Sequence, residues 1–408
     1  MTSTPRPRPQ AQPRPQSHQP PRPRDLGIAP GTLPPGPSNS LTDVPGVRVG
    51  HVTLAHHEAE TPVRTGATVV VPAPGSVFRE KPVAGLEVVN GFGKAAGLSQ
   101  IAELGVLETP LALTNTLGVG AAFEGLVRHA LDGHPEIGTT TGTVNPAVFE
   151  CNDGWLNDIR GLHVRPEHVL DALSAASDGP VPEGAVGAGT GMVAFGWKAG
   201  IGTSSRLVDA GDGIGDGTGE GTGDGPGARY TVGVLVLANF GVAEDLTVLG
   251  VPVGRTLTPH QAREQAEFAR GAGSCVVLIA TDAPADARQL RRMAKRATVG
   301  LARTGGIVQH GSGEYALAWS TTHRVPHRPA GPVRAASALA EDGRLMDRFF
   351  RAVAEATEEA VLGSLFAARP VTGVRGHHAP ALPAERVTGL IGDATLRVRP
   401  GAPDHPAT

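Results

Sequence analysis

Two long runs of apolar residues dominate the hydrophobic pattern of this chain. One covers residues 230–238, and the other begins at Ser274 and continues to residue 280. Both are apolar at nearly every position instead of alternating with polar residues, which predicts strands buried on both faces. Two such strands indicate a sheet that is enclosed between other layers.

Weaker patterns extend this prediction along residues 40–395. Further strands are predicted at residues 67–71, 110–114, 192–198 and 315–320, and helices at residues 93–104, 121–131, 166–176, 285–303 and 342–366. The last of these helices carries its apolar residues on roughly one stripe, as a helix packed on a core does. Because strands and helices are mixed and no linker separates them, we predict one layered α/β domain with two sheets.

Three segments have compositions that disfavour a packed fold. Residues 1–39 are rich in Pro and Arg, which favours an extended, disordered chain. Residues 210–228 are almost entirely Gly, Asp, Thr and Glu, but their spacing fits neither an EF-hand loop nor a calcium-binding β-roll. We therefore predict a surface loop there, and a loose tail over residues 396–408.

The overall composition limits both the core and the partners. Hydrophobic residues make up 40% of the 408 residues but aromatic residues only 4%, so the core must consist mainly of Val, Ala, Leu and Ile. The formal net charge of −3 creates no field that would favour nucleic acid or a membrane surface. No apolar run approaches the roughly 18 residues of a membrane span, and the first residues lack the apolar core of a secretory signal. We therefore expect a cytoplasmic protein.

No motif for a metal or a nucleotide is evident in the sequence. The two cysteines, Cys151 and Cys275, lie outside any metal-ligand spacing, and no His-Glu-x-x-His motif occurs. The Gly-rich segment 187–191 lacks the Lys-Ser/Thr ending of a phosphate loop and precedes a strand instead of a helix. We therefore expect no metal and no cofactor.

The junction between Gly273 and Ser274 carries the most distinctive chemistry. The flexible Gly-Ala-Gly segment 271–273 can present a carbonyl to the hydroxyl of Ser274, which opens the second buried strand. If this peptide bond breaks, Ser274 gains a free amine and becomes nucleophile and base at once. Cys275 is an alternative nucleophile, although strand alternation places it on the opposite face. A Gly-rich loop before a strand is also common without any cleavage.

Other polar residues stand in apolar or Gly-rich surroundings. Asn239 ends the first buried strand, Lys198 lies in another strand, and residues 150–158 form a dense polar cluster. Ser312 and Glu314 precede a further strand, and their spacing of two places them on one face, where one can orient the other. Each of these residues by itself is more typical of a turn, a cap or a satisfied structural group.

A set of segments occurs in one order along about residues 40–390. These are residues 41–51, 90–93, 113–116, 150–158, 195–206, 238–241, 273–274 and 280–284. In these segments the chain resembles the L-aminopeptidase/D-esterase family of self-processing hydrolases, which also includes β-aminopeptidases and a nylon-oligomer hydrolase. The resemblance implies a four-layer αββα sandwich, similar to amino-terminal-nucleophile hydrolases but with different connectivity.

The resemblance also implies self-cleavage and a set of catalytic residues. The cut would fall between Gly273 and Ser274, giving an α chain 1–273 and a β chain 274–408, and such pairs commonly assemble as tetramers. Ser274 would be the nucleophile and Asn239 would stabilise the oxyanion. The family's Ser-x-Glu pair matches Ser312 and Glu314. The implied activity is the release of N-terminal amino acids from small peptides, amides or esters.

Substrate preference depends on positions where branches of the family differ. Glu150 is expected to bind the free amino terminus of a substrate, which would make the protein an exopeptidase. Two residues later, proven aminopeptidases of the family can carry tyrosine, where this chain has Asn152. Lys198 matches a lysine with a catalytic role in the nylon-oligomer branch, but that branch has Thr as nucleophile and an acid at the position of Ser312. Hydrolysis of ω-amino-acid oligomers, acyl transfer and a non-enzymatic scaffold therefore stay open as alternatives.

Overall fold

The computed structural model of the chain describes residues 20–56, 61–210, 228–258, 273–341 and 343–398. Its strands are β1 (Arg48–His56), β2 (Val63–Val71), β3 (Glu80–Gly91), β4 (Leu111–Asn115), β5 (Ala147–Cys151), β6 (Val193–Ala194), β7 (Trp197–Lys198), β8 (Ile201–Asp209), β9 (Arg229–Asn239), β10 (Ser274–Thr281), β11 (Gly313–Pro326), β12 (Val371–Thr372) and β13 (His378–Ala379). Its helices are α1 (Leu98–Leu104), α2 (Val119–Gly133), α3 (Pro166–Ser174), α4 (Gly254–Leu257), α5 (Ala287–Ala294), α6 (Ala297–Arg303), α7 (Arg344–Phe366) and α8 (Ala384–Val398).

These strands form two main sheets. The first has the order β1-β2-β4-β5, and the second has the order β3-β11-β10-β9-β8. Neighbouring strands are antiparallel except for the pairs β4–β5 and β10–β11, which are parallel. The two strands predicted to be buried on both faces, β9 and β10, therefore lie side by side inside the second sheet.

Side-chain alternation along β10 shows how the sheets are layered. Val276 and Leu278 pack between the two sheets, in the same core as Phe149 of the first sheet. Cys275 and Val277 point the other way, into a core formed with helices α5, α6 and α7. Helices α2 and α3 cover the outer face of the first sheet. The predicted four-layer αββα sandwich is therefore confirmed.

Close approach between the layers explains why so few aromatic residues are needed. A Cβ atom added to Gly202 of β8 would lie 2.8 Å from the Ser364 amide nitrogen of α7. One added to Gly85 of β3 would lie 2.6 Å from the Ala287 carbonyl oxygen of α5. Because protein interiors are close-packed, helices can lie this near a sheet where no side chain intervenes.

The prediction of disorder through residue 39 is wrong for residues 20–39. Arg24 forms an ion pair at 2.6 Å with Glu359 of α7, whose side chain is buried. Ile28 is 1% exposed and belongs to the core between the second sheet and its helices. Composition suggested a solvated basic tail, but a buried carboxylate and an apolar anchor hold this segment on the domain. Residues 1–19 lie outside the described residues.

Two predicted elements are divided in the structure. Residues 192–198 form a hairpin of β6 and β7 instead of one strand, since Phe195 and Gly196 between them both have positive φ, 51° and 79°. The single helix predicted over residues 285–303 is the two helices α5 and α6. In both places the apolar pattern continues across a turn, and pattern alone does not reveal the break.

The carboxyl-terminal prediction also needs correction. Helix α8 extends to Val398, so the tail predicted to be loose from residue 396 starts inside a helix. Residues 399–408 lie outside the described residues, as do residues 211–227 of the predicted Gly/Asp loop. Within the described part of the chain, no helix combines the length and the hydropathy that crossing a membrane requires.

Candidate active site

Three strands of the second sheet bring the predicted site residues to one edge. Ser274 begins β10 and is paired with Asn239, the last residue of the antiparallel strand β9. On its other side, Ser274 is paired with Gly313, the first residue of the parallel strand β11. Ser312 directly precedes β11, so strand pairing alone places these residues around Ser274.

The carbonyl group of Gly273 receives two hydrogen bonds. The hydroxyl of Ser274, a residue only 4% exposed, donates to this oxygen at 2.6 Å. The backbone N–H of Gly313 donates to the same oxygen at 3.1 Å. Hydrogen-bond donors aimed at a carbonyl oxygen stabilise the negative charge that forms there during nucleophilic attack. The carbonyl that precedes the predicted nucleophile is therefore already polarised.

Ser312 and Glu314 form a buried pair next to this carbonyl. The Ser312 hydroxyl donates a hydrogen bond to Glu314 Oε1, and both residues are nearly inaccessible to solvent. Burial raises the pKa of the Glu314 carboxyl from 4.5 to about 7, although the bond from Ser312 opposes this change. A Cβ atom built on Gly273 would lie 3.2 Å from Ser312 Oγ. Ser312 therefore faces the peptide junction before Ser274.

The side-chain amide of Asn239 is held in one orientation. Its Oδ1 accepts a hydrogen bond from the Val193 N–H at 3.0 Å, and its Nδ2 donates to the Asn152 carbonyl oxygen at 2.9 Å. An amide nitrogen carries two hydrogens, so one stays available for another acceptor. Asn239 can therefore donate to an oxyanion without giving up its structural bonds.

In the described residues, no hydrogen bond joins Lys198 to the Ser312–Glu314 pair. Its ammonium group donates to the carbonyl oxygens of Gly189, Met192 and Ala199 at 3.0, 2.8 and 2.6 Å. Burial lowers the pKa of Lys198 to about 7, and the nearby Asp153 opposes this change. In the described residues its hydrogen bonds go to these carbonyls. Lys198 therefore fixes the backbone that leads to Val193, whose N–H donates to Asn239.

Glu150 lies on β5 of the opposite sheet and is 1% exposed. Its Oε1 accepts a hydrogen bond from the Lys94 N–H at 2.8 Å, and its Oε2 accepts one from the Thr116 hydroxyl. Each carboxylate oxygen has capacity for a further bond. Glu150 therefore anchors the segment after β3 and can still accept a bond from another donor.

Asn152 contributes to the site mainly through its backbone. Its carbonyl is the acceptor for Asn239, while its side-chain oxygen accepts from the Gly154 N–H at 2.9 Å. Asn152 also lines a cavity of about 640 Å³ together with Arg160 and Arg375. The position where relatives can carry tyrosine is therefore open to an adjoining cavity.

Two contributors were missed by sequence reasoning. The side chain of Asn90 donates to the carbonyl oxygens of Gln309, His310 and Ser312. The Gly313 N–H donates to the Gly273 carbonyl, as described above. The Asn-Gly-Phe-Gly segment at residues 90–93 and the Gly before Glu314 were visible signals, but nothing in the sequence connects them to Ser274.

Cys275 does not share the site of Ser274. Its side chain is fully buried in the core on the helix side of the sheet, and burial raises its pKa well above the ordinary thiol value. A thiol in such surroundings stays protonated and is a poor nucleophile. Both Cys151 and Cys275 are free thiols. Within the described residues, no three His, Cys, Asp or Glu side chains cluster as a metal site.

Comparisons with known proteins identify the family of the chain. The sequence model of peptidase family S58 matches residues 39–379. The β-peptidyl aminopeptidase BapA of Sphingosinicella microcystinivorans is 38% identical over 386 residues, covering 91% of this chain and 92% of that protein.

Two solved structures extend the agreement to the fold. The PH0078 protein from Pyrococcus horikoshii OT3 is 46% identical, with a TM-score of 0.82, over 92% of this chain and 99% of that chain. The L-aminopeptidase D-Ala-esterase/amidase from Ochrobactrum anthropi is 34% identical, with a TM-score of 0.82, over the same shares of the two chains. That enzyme is described as a prototype of the serine aminopeptidases and a new variant among the Ntn hydrolase fold. The resemblance seen in the sequence and the Ntn-like layering are both confirmed.

Proposed function

The chain belongs to peptidase family S58, and on that premise we propose that it is a self-processing aminopeptidase with Ser274 as its N-terminal nucleophile. Its substrates are small peptides, amides or esters that carry a free amino terminus. The observation that supports this most directly is the Gly273 carbonyl, which accepts hydrogen bonds from both the Ser274 hydroxyl and the Gly313 N–H. This hydrogen bond keeps the Ser274 hydroxyl beside the carbonyl group that it would attack in self-cleavage.

Self-cleavage begins when Ser274 Oγ attacks the Gly273 carbonyl carbon. A carbon–oxygen bond forms, the carbon–nitrogen bond breaks, and the hydroxyl proton passes to the departing nitrogen of Ser274. Water then hydrolyses the resulting ester to a Gly273 carboxylate and a free Ser274 hydroxyl. The Gly313 N–H stabilises the charge on the Gly273 oxygen during this step.

Substrate turnover uses the same hydroxyl with the newly formed amine as its base. A free α-amine has a pKa of about 7.7–8.0, so a useful fraction is neutral at physiological pH. The amine takes the proton from Oγ as Oγ attacks the substrate carbonyl, an acyl ester forms, and the leaving group departs with that proton. Water then releases the acyl group and restores the free hydroxyl.

The surrounding residues support these steps in distinct ways. Ser312 faces the junction before Ser274, and its hydroxyl hydrogen-bonds the new amine. Glu314 orients Ser312 by accepting a hydrogen bond from the same hydroxyl. The free amide hydrogen of Asn239 donates to the oxyanion of the substrate. Lys198 acts as a positioning residue, because its three hydrogen bonds fix the turn next to Asn239.

Substrate choice is proposed from the first-sheet side of the site. Glu150 binds the ammonium group of the substrate with its remaining acceptor capacity, which restricts cleavage to the amino terminus. With Asn152 at this position, the site has room for larger N-terminal residues than it would have with a tyrosine there. BapA, a β-peptidyl aminopeptidase, is 38% identical to this chain in an alignment that covers 91% of it. We therefore include β-amino acids among the accepted N-terminal residues.

Intact-mass measurement of the purified chain tests the nucleophile directly. We expect wild-type protein to give two fragments, residues 1–273 and 274–408, and to hydrolyse L-alanyl and β-alanyl p-nitroanilides. Ser274→Ala should stay one full-length chain without activity, while Cys275→Ala should process and turn over like wild type. A Ser274→Ala protein that splits at this position or retains turnover would refute the assignment.

We also propose that the processed α/β pairs assemble as a tetramer, as the family resemblance implies. Light scattering coupled to size exclusion measures the mass in solution. A mass of one or two α/β pairs at micromolar concentration would contradict this proposal.

A further inference from the structure

The loop that carries Ser312 has one side-chain anchor at its centre. Asn90, near the end of β3, donates from Nδ2 to the carbonyl oxygens of Gln309 at 3.0 Å and His310 at 3.1 Å. The same nitrogen donates to the carbonyl oxygen of Ser312. An amide nitrogen has only two hydrogens, so at least one of these bonds is shared between acceptors. One side chain thus binds three backbone carbonyl groups within residues 309–312.

The strand register gives this anchor a defined position. Asn90 lies directly across from Glu314 in the β3–β11 pair, and the register shifts between Glu314 and Tyr315. An irregularity of this kind locally turns a strand and redirects its side chains. Before the shift, Val308 has a positive φ of 54°, which is unusual for a β-branched residue. The loop is therefore bent at both ends, and Asn90 contacts the stretch between the bends.

We propose that Asn90 is a positioning residue for the Ser312–Glu314 pair, and so for both self-cleavage and turnover. This inference rests on the proposed function of Ser274. In the described residues, no hydrogen bond joins the Asn90 side chain to Ser274. Its effect passes through the backbone of Ser312, whose hydroxyl faces the junction at Gly273. A serine displaced by an ångström no longer meets the amine it has to hold.

The Ser312–Glu314 pair is sensitive to such a displacement because both side chains are buried away from solvent. The ionisable groups near Glu314 are Cys275 on β10, Cys151 on β5 and Tyr315 on β11, all neutral at pH 7. In the described residues of the uncut chain, no cation offsets the burial of the Glu314 carboxyl. Loss of the Asn90 bonds frees the loop and admits water, which returns the pKa of Glu314 toward its ordinary value.

Asn90→Asp is the sharpest test, since it keeps the shape and removes the donor. The matched control is Glu87→Gln on the same strand. In the part of the chain that the structure describes, the Glu87 carboxylate accepts a hydrogen bond from the surface residue Arg291 at 3.1 Å. Asn90→Ser, which retains one donor, serves if Asn90→Asp does not accumulate as folded protein. For each variant we would measure cleavage at Gly273 by intact mass, and kcat and KM per cleaved chain from pH 5 to pH 9.

We expect slower self-cleavage in Asn90→Asp and a kcat lower by about 10²-fold, the cost typical of an ångström-scale misplacement. KM should stay within about twofold, because Asn90 does not contact substrate. Glu87→Gln should match wild type in every measurement. A lower kcat with an unchanged KM would separate positioning from a general loss of stability, which lowers the yield but leaves kcat per cleaved chain unchanged.

Wild-type kcat in both Asn90→Asp and Asn90→Ser would overturn the inference while leaving Ser274 as the nucleophile. An uncleaved wild-type chain, or an active Ser274→Ala protein, would instead overturn the proposed function itself. The two failures are therefore distinguishable in one set of proteins.

Discussion

Burial of the Glu314 carboxyl predicts a pH-dependent cost to stability. The residue is 2% exposed, its Oε1 accepts from Ser312, and its Oε2 has no partner in the described part of the chain. Its pKa is raised from 4.5 to about 7 in the folded protein. Between these two values, the unfolded chain has released the proton while the folded protein still binds it. Stability therefore falls as the pH rises through this window.

The size of this effect follows from the change in pKa. A rise from 4.5 to about 7 corresponds to roughly 3 kcal/mol at pH values above both, at about 1.4 kcal/mol for each pKa unit. Relaxation around the charged carboxylate reduces this, so we expect about 2 kcal/mol between pH 5 and pH 8.5. Glu314→Gln removes the titration and keeps an acceptor for Ser312. The variant should therefore gain about 2 kcal/mol relative to its parent over that range.

Denaturant unfolding at pH 5 and pH 8.5 measures this difference. The parent should carry Ser274→Ala, so that both proteins are uncut and unfold as one chain. The matched control is Glu108→Gln in the same background, whose carboxyl pairs with Lys81 at 2.5 Å. Lys81 and Asn145 lower the pKa of Glu108 despite its burial, so Glu108 is ionised in both states across this range. Its loss should destabilise the protein nearly equally at both pH values.

A Glu314→Gln variant with the same stability difference at pH 5 and pH 8.5 would refute the reasoning. It would mean that the carboxyl is hydrated in the folded protein or has a cation beside it. A constant offset that is added to the pH-dependent difference is compatible with the prediction, since the amide and the protonated acid differ in their hydrogen bonding.

Two further substitutions test the geometry around Ser274. Gly313→Ala would put a Cβ atom 2.6 Å from the Gly93 nitrogen, so we expect about 1–3 kcal/mol of destabilisation and impaired cleavage, measured by thermal unfolding and denaturing gel. Gly91→Ala, whose Cβ would meet only a Val88 methyl at 3.6 Å, is the matched control, and equal effects at both sites would contradict the packing argument. Asn239→Ala should lower kcat per cleaved chain by about 10²–10³-fold with little change in KM, as loss of an oxyanion donor does. Undiminished kcat in that variant would exclude Asn239 as the donor.

Local patterns in the sequence were sufficient for the elements around Ser274. The apolar runs of β9 and β10 predicted strands buried on both faces, and both lie inside the second sheet. Strand alternation placed Cys275 opposite Ser274, and the structure confirms it. These predictions succeed because the two-residue alternation of a strand and its apolar character both depend on residues that are neighbours in the sequence.

The sequence by itself therefore determined strands β2, β4, β9, β10 and β11, most helices and, through resemblance, the candidate nucleophile. It did not reveal β1, β3, β5 or β8, which complete the two sheets. Only the tertiary structure decided that Asn90 holds the loop of Ser312, 222 residues later in the chain. It likewise decided that Lys198 donates to three backbone carbonyls, and that residues 20–39 pack on α7. The reason is physical: burial, desolvation and the choice of hydrogen-bond partner depend on segments that are distant in sequence and meet only when both sheets are assembled.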